Sequence, residues 1–331
     1  MTCPPLTARV DLERLERNLR RFHDRATAFG VAVRSHVKAH MTVEIALRQL
    51  RHGACGLAVT QVAQARAYVA AGATDIVMTH PWREPWRWRL MAELARDSRL
   101  SVLVDCHESI SGLAAASAAA GSVIGVRVSL GDDLDVTAVA DDDLIALARA
   151  ADAEPALCLD GVHGYQSLDT AEAASERESV GRAAAEYVVR VAGLLRERGL
   201  PCPVVAVSGT PTAQGAIAVP GVTEVCAGAY ALQDTGMAAI GVCASDDLAL
   251  SVIATDPRAA DPILAAHPYP WQTPADYSLL ASSAPASTPI HPPHVCALVR
   301  QLDTVTPRAE RGPQGSSDVT WRVMNQRDQP G

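Results

Sequence analysis

The chain has 331 residues, 48% of them apolar and 20% charged, with a formal net charge of −8. That length suits one large barrel with a small second domain. The negative balance excludes a general nucleic-acid binder, which needs basic clusters against phosphates, and no apolar run has the length of a membrane span. With phenylalanine only at Phe22 and Phe29, the core is predicted from Ala, Val, Leu and Ile, which suits helices packed on a sheet.

The N-terminal MTCPPLTARVDL lacks a basic region followed by an apolar core, so no secretory signal is expected. An amphipathic helix is predicted over 11–29, with Asp11 as N-cap and Leu12, Leu15, Leu19 and Phe22 at helical spacing. An apolar run follows, and a strand is predicted over 31–37. Lys38 stands where that strand ends, within Arg-Ser-His-Val-Lys-Ala-His. At the C-terminal end of a barrel strand a side chain enters the active-site mouth. A lysine desolvated there has a lowered pKa and a nucleophilic amine. Local sequence alone favours the plainer reading, a solvated lysine at a strand end.

Further strands are predicted at 55–59, 75–78, 101–104, 123–128, 156–162, 203–207 and 223–226. Helical stretches separate them, including 43–50 after Thr42 and 175–198 before Gly199. Alternation of this kind marks parallel βα units, and eight strands make the (β/α)8 TIM barrel. The Pro-Trp-Arg-Glu-Pro-Trp-Arg-Trp-Arg run from Pro81 to Arg89 reads as the start of a surface helix with tryptophans packed on the barrel. The eight cysteines are scattered without a CxxC pair, several inside apolar runs. A reduced, cytoplasmic protein is expected.

After Met237 proline becomes frequent and helical periodicity fades. Antiparallel strands are predicted near 248–254, 295–299 and 319–324, and turn-rich loops at 282–289 and 308–317. The expected division is a barrel over 1–236 and a small C-terminal β domain over 237–331, with 6–10 as a strand that could join the β domain. On the 295–299 strand, His294 and Cys296 stand at i and i+2 and share a face. One imidazole and one thiolate can share a metal, although zinc takes three or four ligands and the pair alone is weak.

The chain resembles the fold-type III pyridoxal phosphate (PLP) enzymes, specifically the D-serine dehydratase and D-threonine aldolase group within the alanine-racemase-like superfamily. ARVDLERLERNLRRF, RSHVKAHMTVEIALRQL, VSGTPT, AGAY and HPPHVC carry the resemblance, which covers most of the chain. It implies that Lys38 forms the Schiff base with PLP, with His36 beside the cofactor. It assigns the phosphate to the turn at Ser208, Gly209, Thr210 and Thr212, an anion nest of hydroxyls and N–H groups, and to Gly228 and Tyr230 in the next turn. His163 and Tyr165 resemble cofactor- or substrate-side residues, and a packed, hydrogen-bonded tyrosine accounts equally well for Tyr165. The resemblance also implies Zn2+ held by His294 and Cys296 over the PLP, with open positions for substrate. His-x-Asp is usual in the aldolase branch, so the cysteine points to a dehydratase.

The implied activity is a PLP- and zinc-dependent lyase on a β-hydroxy D-amino acid, D-serine dehydratase-like. Retro-aldol cleavage of the D-threonine aldolase type, or a PLP-dependent racemase or epimerase, are the alternatives. A racemase would need a second acid-base, for which Tyr269 and Tyr277 are the β-domain candidates. The expected partner is a small D-amino acid, with no nucleic acid or membrane, in a homodimer. Two departures stand out. Asp132 and Asp133 occupy a turn after which the family carries an arginine, and the β domain is short.

Overall fold

The computed structural model describes residues 7–132, 140–166, 176–254, 278–281, 310–311 and 319–322. These begin with β1 (Thr7–Val10) and α1 (Leu12–Ala28). Asp11 caps α1 as expected: its Oδ1 accepts from the Arg14 N–H at 3.0 Å, a contact worth about 1 kcal/mol.

Eight strands then alternate with helices. In order they are β2 (Ala32–His36), α2 (Val43–Arg51), β3 (Gly56–Val59), α3 (Val62–Ala70), β4 (Asp75–Met78), α4 (Pro85–Leu94), β5 (Arg99–Val104) and α5 (His107–Ala120). The series continues with β6 (Ile124–Asp132), α6 (Asp141–Asp152), β7 (Leu157–Tyr165), α7 (Arg177–Glu197), β8 (Val204–Ser208), α8 (Ala213–Ile217) and β9 (Glu224–Ala227). The order β2-β3-β4-β5-β6-β7-β8-β9 closes on itself, and every pair is parallel, the closing pair included. Each of the eight barrel strands of the sequence reading is present, with ends moved by a few residues. Strands such as Gly-Leu-Ala-Val in β3 are buried throughout, as strands covered by helices outside and packed inside must be. α7 stops where Gly199 takes φ +76°, a left-handed position that glycine occupies without a Cβ penalty.

Two expectations change. β6 runs four residues beyond Val128, and Asp132 is its last residue, paired with Tyr165 after a register shift; the bulge lets the strand continue where a turn was expected. In the tryptophan run, Trp88 is buried in α4 and lies so close to Gly112 of α5 that a Cβ there would collide with its ring. Trp86 is 48% exposed, beside an Arg87 guanidinium held over the Trp82 ring at 3.6 Å and the Trp86 ring at 4.4 Å.

The chain divides into two compact units, one of His23–Lys38 with Val43–Gly228, which holds the barrel, and one of Met1–Phe22, Ala39–Thr42 and Ala229–Gly331. Within the second unit, α9 (Thr235–Ala239) precedes β10 (Leu250–Ala254), β11 (Ser278–Ala281), β12 (Glu310–Arg311) and β13 (Val319–Arg322). With β1 these form a five-stranded sheet in the order β11-β10-β1-β13-β12. β1 is antiparallel to β10 and β13. Glu310–Arg311, expected within a turn, pairs with β13 instead. The predicted strand at 295–299 and the loop at 282–289 lie outside the described residues. Among the described residues no helix is long and apolar enough to cross a membrane.

Candidate active site

Lys38 follows β2 in a 3-10 turn, Val37–Ala39, at the C-terminal end of the barrel. Its backbone N–H donates to His36 Nδ1 at 3.2 Å. That fixes the neutral ring's proton on Nε2, which lies 3.1 Å from Thr79 Oγ1 at the end of β4. The Thr79 hydroxyl passes its own proton toward the Val59 carbonyl at 3.4 Å. His36 therefore belongs to a relay anchoring the lysine turn to β3 and β4.

β2 is hydrogen-bonded to β9, and β9 to β8. The loops after β8 and β9 are therefore the neighbours of the Lys38 turn around the barrel rim. In the Ser208–Thr212 loop, Gly209 has φ +132°, and a Cβ there would meet the Gln166 carbonyl oxygen at 2.5 Å. Its N–H is engaged with the Cys226 carbonyl at 3.0 Å, so Gly209 contributes the turn and the close approach rather than a free donor. Thr212 Oγ1 donates to the Gln166 carbonyl at 3.3 Å, tying the loop to the end of β7. Thr210 Oγ1 accepts from the Gly228 N–H at 3.3 Å, which leaves the Thr210 proton free to donate. Behind the loop, a Cβ on Gly181 of α7 would collide with the Thr212 carbonyl, and one on Gly215 of α8 with the Glu178 carbonyl. Two glycines thus set the α7–α8 backbones against each other.

Beneath these loops lies a buried charge network. Glu224, at the start of β9, receives Arg34 Nε at 2.9 Å and Arg127 Nη1 at 2.5 Å. β6 and β9 are not neighbours, so the Arg127–Glu224 pair spans the barrel interior. Arg34 also meets Asp75 at 2.7 Å, and Arg99 bridges Asp75 and Asp160. Burial would raise the Glu224 pKa, but the two guanidinium groups hold it well below the usual carboxylate range. The Arg34 pKa is raised, because Glu224 and Asp75 outweigh the opposing effect of burial. A network of this kind is tolerated inside a barrel only because each charge has its partner.

His163 of β7 sits just above, with Nε2 2.6 Å from Ser208 Oγ. Burial first, and then Arg127, push its pKa down to about 3, so the ring is neutral. Its Nδ1 and the Arg127 Nε are buried without a partner among the described residues. Tyr165 is half-buried at the end of β7, in register with Ser208. Tyr230 belongs to the second unit, where its ring stacks on Phe22 at 4.1 Å.

The barrel thus gathers Lys38, His36, Tyr165, Ser208, Gly209, Thr210, Thr212 and Gly228 at one end. His294 and Cys296 lie outside the described residues, as do Tyr269 and Tyr277. Among the described residues no three His, Cys, Asp or Glu side chains group to hold a metal ion. Thr79, Arg34, Arg127 and Glu224 were not singled out in the sequence. Their signal was a charged or polar residue interrupting an apolar strand, as Arg127 interrupts Val-Arg-Val.

The donor set fits PLP. Thr210 offers its hydroxyl proton at the rim for a phosphate, with the Gly228 N–H holding that hydroxyl in place. Lys38 stands on the adjacent strand end, and His163 Nδ1 is a buried polar atom that no described residue satisfies.

Comparison with known proteins agrees with this geometry. The family described as alanine racemase, N-terminal domain, matches residues 10–247. The chain is 38% identical over 268 residues to D-threo-3-hydroxyaspartate dehydratase of Delftia sp. (strain HT23), covering 77% of this chain and 68% of that one. It is 37% identical over 227 residues to D-threonine aldolase of Arthrobacter sp., covering 68% of this chain and 60% of that one. The chain therefore spans about two thirds of these relatives' lengths. Among solved structures it is similar to two alanine variants of D-threo-3-hydroxyaspartate dehydratase. One replaces a cysteine and is in the metal-free form (TM-score 0.66, 35% identity, 73% of this chain and 65% of that one). The other replaces a histidine two positions earlier in that protein (TM-score 0.67, 36% identity, 76% and 65%).

Proposed function

Because this chain belongs to the alanine racemase N-terminal domain family, a family of fold-type III PLP enzymes, we propose that it is a PLP-dependent lyase acting on a β-hydroxy D-amino acid. The observation that carries the reading is the Lys38 turn. His36 fixes it at the end of β2, on the strand adjoining β9 and the bonded Thr210–Gly228 pair. PLP, when bound, supplies the electron sink that makes the substrate α-proton removable. Lys38 would hold the cofactor through its aldehyde and, once free of it, would serve as the base at the substrate α-carbon. His36 and Thr79 would keep the amine aimed, and the Thr210 hydroxyl, held by the Gly228 N–H, would orient the phosphate. The buried Arg34–Glu224–Arg127 network keeps the floor dry and rigid.

We place the reaction with the dehydratases, releasing ammonia and a keto acid. Two things support this: the similarity to D-threo-3-hydroxyaspartate dehydratase, and the cysteine at position 296. His294 and Cys296 repeat the two-residue spacing of the histidine and cysteine replaced in the dehydratase structures. Zn2+ on this pair would act as Lewis acid on the β-hydroxyl. D-serine and D-3-hydroxyaspartate both belong to the substrate class. Retro-aldol cleavage is the second reading, favoured by the similarity to D-threonine aldolase. A reduced, cytoplasmic homodimer completes the proposal.

The test is direct. The purified protein should absorb in the visible, borohydride should bleach the band, and peptide mapping should find the pyridoxyl group on Lys38. A label on any other lysine would sink the assignment. Ammonia and keto acid from D-serine, D-threonine or D-3-hydroxyaspartate identify dehydration; glycine and an aldehyde identify cleavage.

A further inference from the structure

Among the described residues, the barrel strands β2–β9 carry two buried side-chain polar atoms without a hydrogen-bond partner, Arg127 Nε and His163 Nδ1. The two are matched. A guanidinium Nε–H can only donate, and an imidazole nitrogen can accept. Bulk solvent reaches neither side chain, since Arg127 is 1% exposed and His163 3%. Their other nitrogens are committed. Arg127 Nη1 and Nη2 donate to the Glu224 carboxylate at 2.5 and 3.3 Å, and His163 Nε2 lies 2.6 Å from Ser208 Oγ.

Topology puts the two atoms near each other. Arg127 is paired with Gly161 across β6 and β7, and His163 follows Gly161 by two residues, so both side chains leave the same face of the sheet. That face is the barrel interior, because Arg127 reaches Glu224 on β9, which does not adjoin β6. Neighbouring strands lie about 4.8 Å apart and two residues rise about 6.6 Å, which sets the two Cα atoms roughly 8 Å apart. Gly161, between them, adds no side chain. Arg127 and His163 do not bond each other, so the group that satisfies both must accept from one and donate to the other. A halide accepts from Nε but has no proton for Nδ1. A metal cation is repelled by the guanidinium. Water does both, and a buried water with roughly two to four polar partners is a regular part of a protein interior.

We propose that one internal water joins Arg127 Nε to His163 Nδ1, accepting from the arginine and donating to the histidine. The imidazole proton then sits on Nε2 and is donated to Ser208 Oγ. Arg127 thereby positions the first hydroxyl of the Ser208–Thr212 loop through a water and a ring, and the loop is tied to the buried Glu224 network below it. The inference does not rest on the PLP reading, because it gives the Nδ1 atom to solvent and needs no cofactor.

The test uses the full chain, as purified and after hydroxylamine treatment. A crystal structure that resolves ordered water should show one peak within about 3.2 Å of both Arg127 Nε and His163 Nδ1 in both forms. Crystals grown in bromide should show no anomalous signal there. In solution, 15N-histidine labelling should give His163 a protonated, pyrrole-type Nε2 and a bare, imine-type Nδ1 in both forms. His163→Leu should lose one long-lived internal water by magnetic relaxation dispersion; if that variant fails to fold, the wild-type peak and resonances decide alone. An anomalous peak at the site, a cofactor oxygen on Nδ1, a direct Arg127–His163 bond, or a proton on Nδ1 overturns the proposal. None of these outcomes touches the Lys38 assignment, which the borohydride label decides separately.

Discussion

The His36 ring joins the Lys38 turn to Thr79: Nδ1 accepts from the Lys38 N–H at 3.2 Å, and Nε2 lies 3.1 Å from Thr79 Oγ1. The first contact bridges two residues along the chain and the second crosses from β2 to β4. The lysine's position therefore depends on a residue 43 places from His36 in sequence.

The first prediction follows from that relay. His36→Phe removes both hydrogen bonds and should lower kcat by about ten- to a hundredfold, since each tenfold corresponds to about 1.4 kcal/mol. His36→Asn retains an acceptor for the Lys38 N–H and should lose less. Steady-state kinetics with borohydride labelling of Lys38 measures both effects. Equal kcat in the two variants and the wild type would show that the relay does not aim the lysine.

The second concerns Glu224. Glu224→Gln leaves Arg34 and Arg127 buried against a neutral amide and should destabilise the protein by about 3–5 kcal/mol. Replacing all three by Met or Leu should recover part of that loss, because no unpaired charge then remains among them. Urea unfolding of the single and triple variants is the measurement. A triple variant less stable than Glu224→Gln would contradict the desolvation argument.

The third is an acid limit on stability. His23 is held near pKa 4, by burial first and then by His52, and His163 near 3, by burial and then Arg127. Both folded values lie below the unfolded value of about 6.5, so the unfolded chain binds protons that the folded chain refuses. Their stabilising contribution is complete above pH about 6.5 and falls toward pH about 4 for His23 and about 3 for His163. The slope is about 1.4 kcal/mol per pH unit for each histidine. Glu224, whose folded pKa is also lowered, adds a further loss below about pH 4. His23→Phe should flatten the upper part of the curve. An unchanged slope between pH 6 and 4 in that variant would count against the assignment.

The fourth concerns the metal. A site with two protein ligands holds zinc less tightly than a closed four-ligand site. A strong chelator should therefore abolish turnover of β-hydroxy D-amino acids while the visible absorption on Lys38 survives, and added zinc should restore activity. His294→Ala and Cys296→Ala should behave as the stripped enzyme. Cys296→Asp, which exchanges a soft ligand for a hard one, should admit manganese and raise the share of retro-aldol product. Full turnover after chelation would remove zinc from the mechanism and bring the racemase reading forward.

The sequence by itself determined the barrel and the place of Lys38 at the end of its first strand. Apolar runs of four or five residues separated by helical stretches admit few arrangements other than parallel βα units, and both signals are local. The glycine at 199 and the cap at Asp11 are also local, because a helix end is decided within one turn of chain. What only the tertiary structure decided is which polar residues meet inside the barrel. Arg34 and Glu224 stand 190 residues apart, Arg127 and Glu224 stand 97 apart, and His163 and Ser208 stand 45 apart. In sequence each is a polar residue within an apolar strand, with no local pattern naming its partner. Closing the barrel turns β6 and β9 toward one interior and sets β7 beside β8, and an unpaired charge inside would cost several kcal/mol. The partners are therefore fixed by closure and by the penalty of desolvation, neither of which is written in any single stretch of the chain.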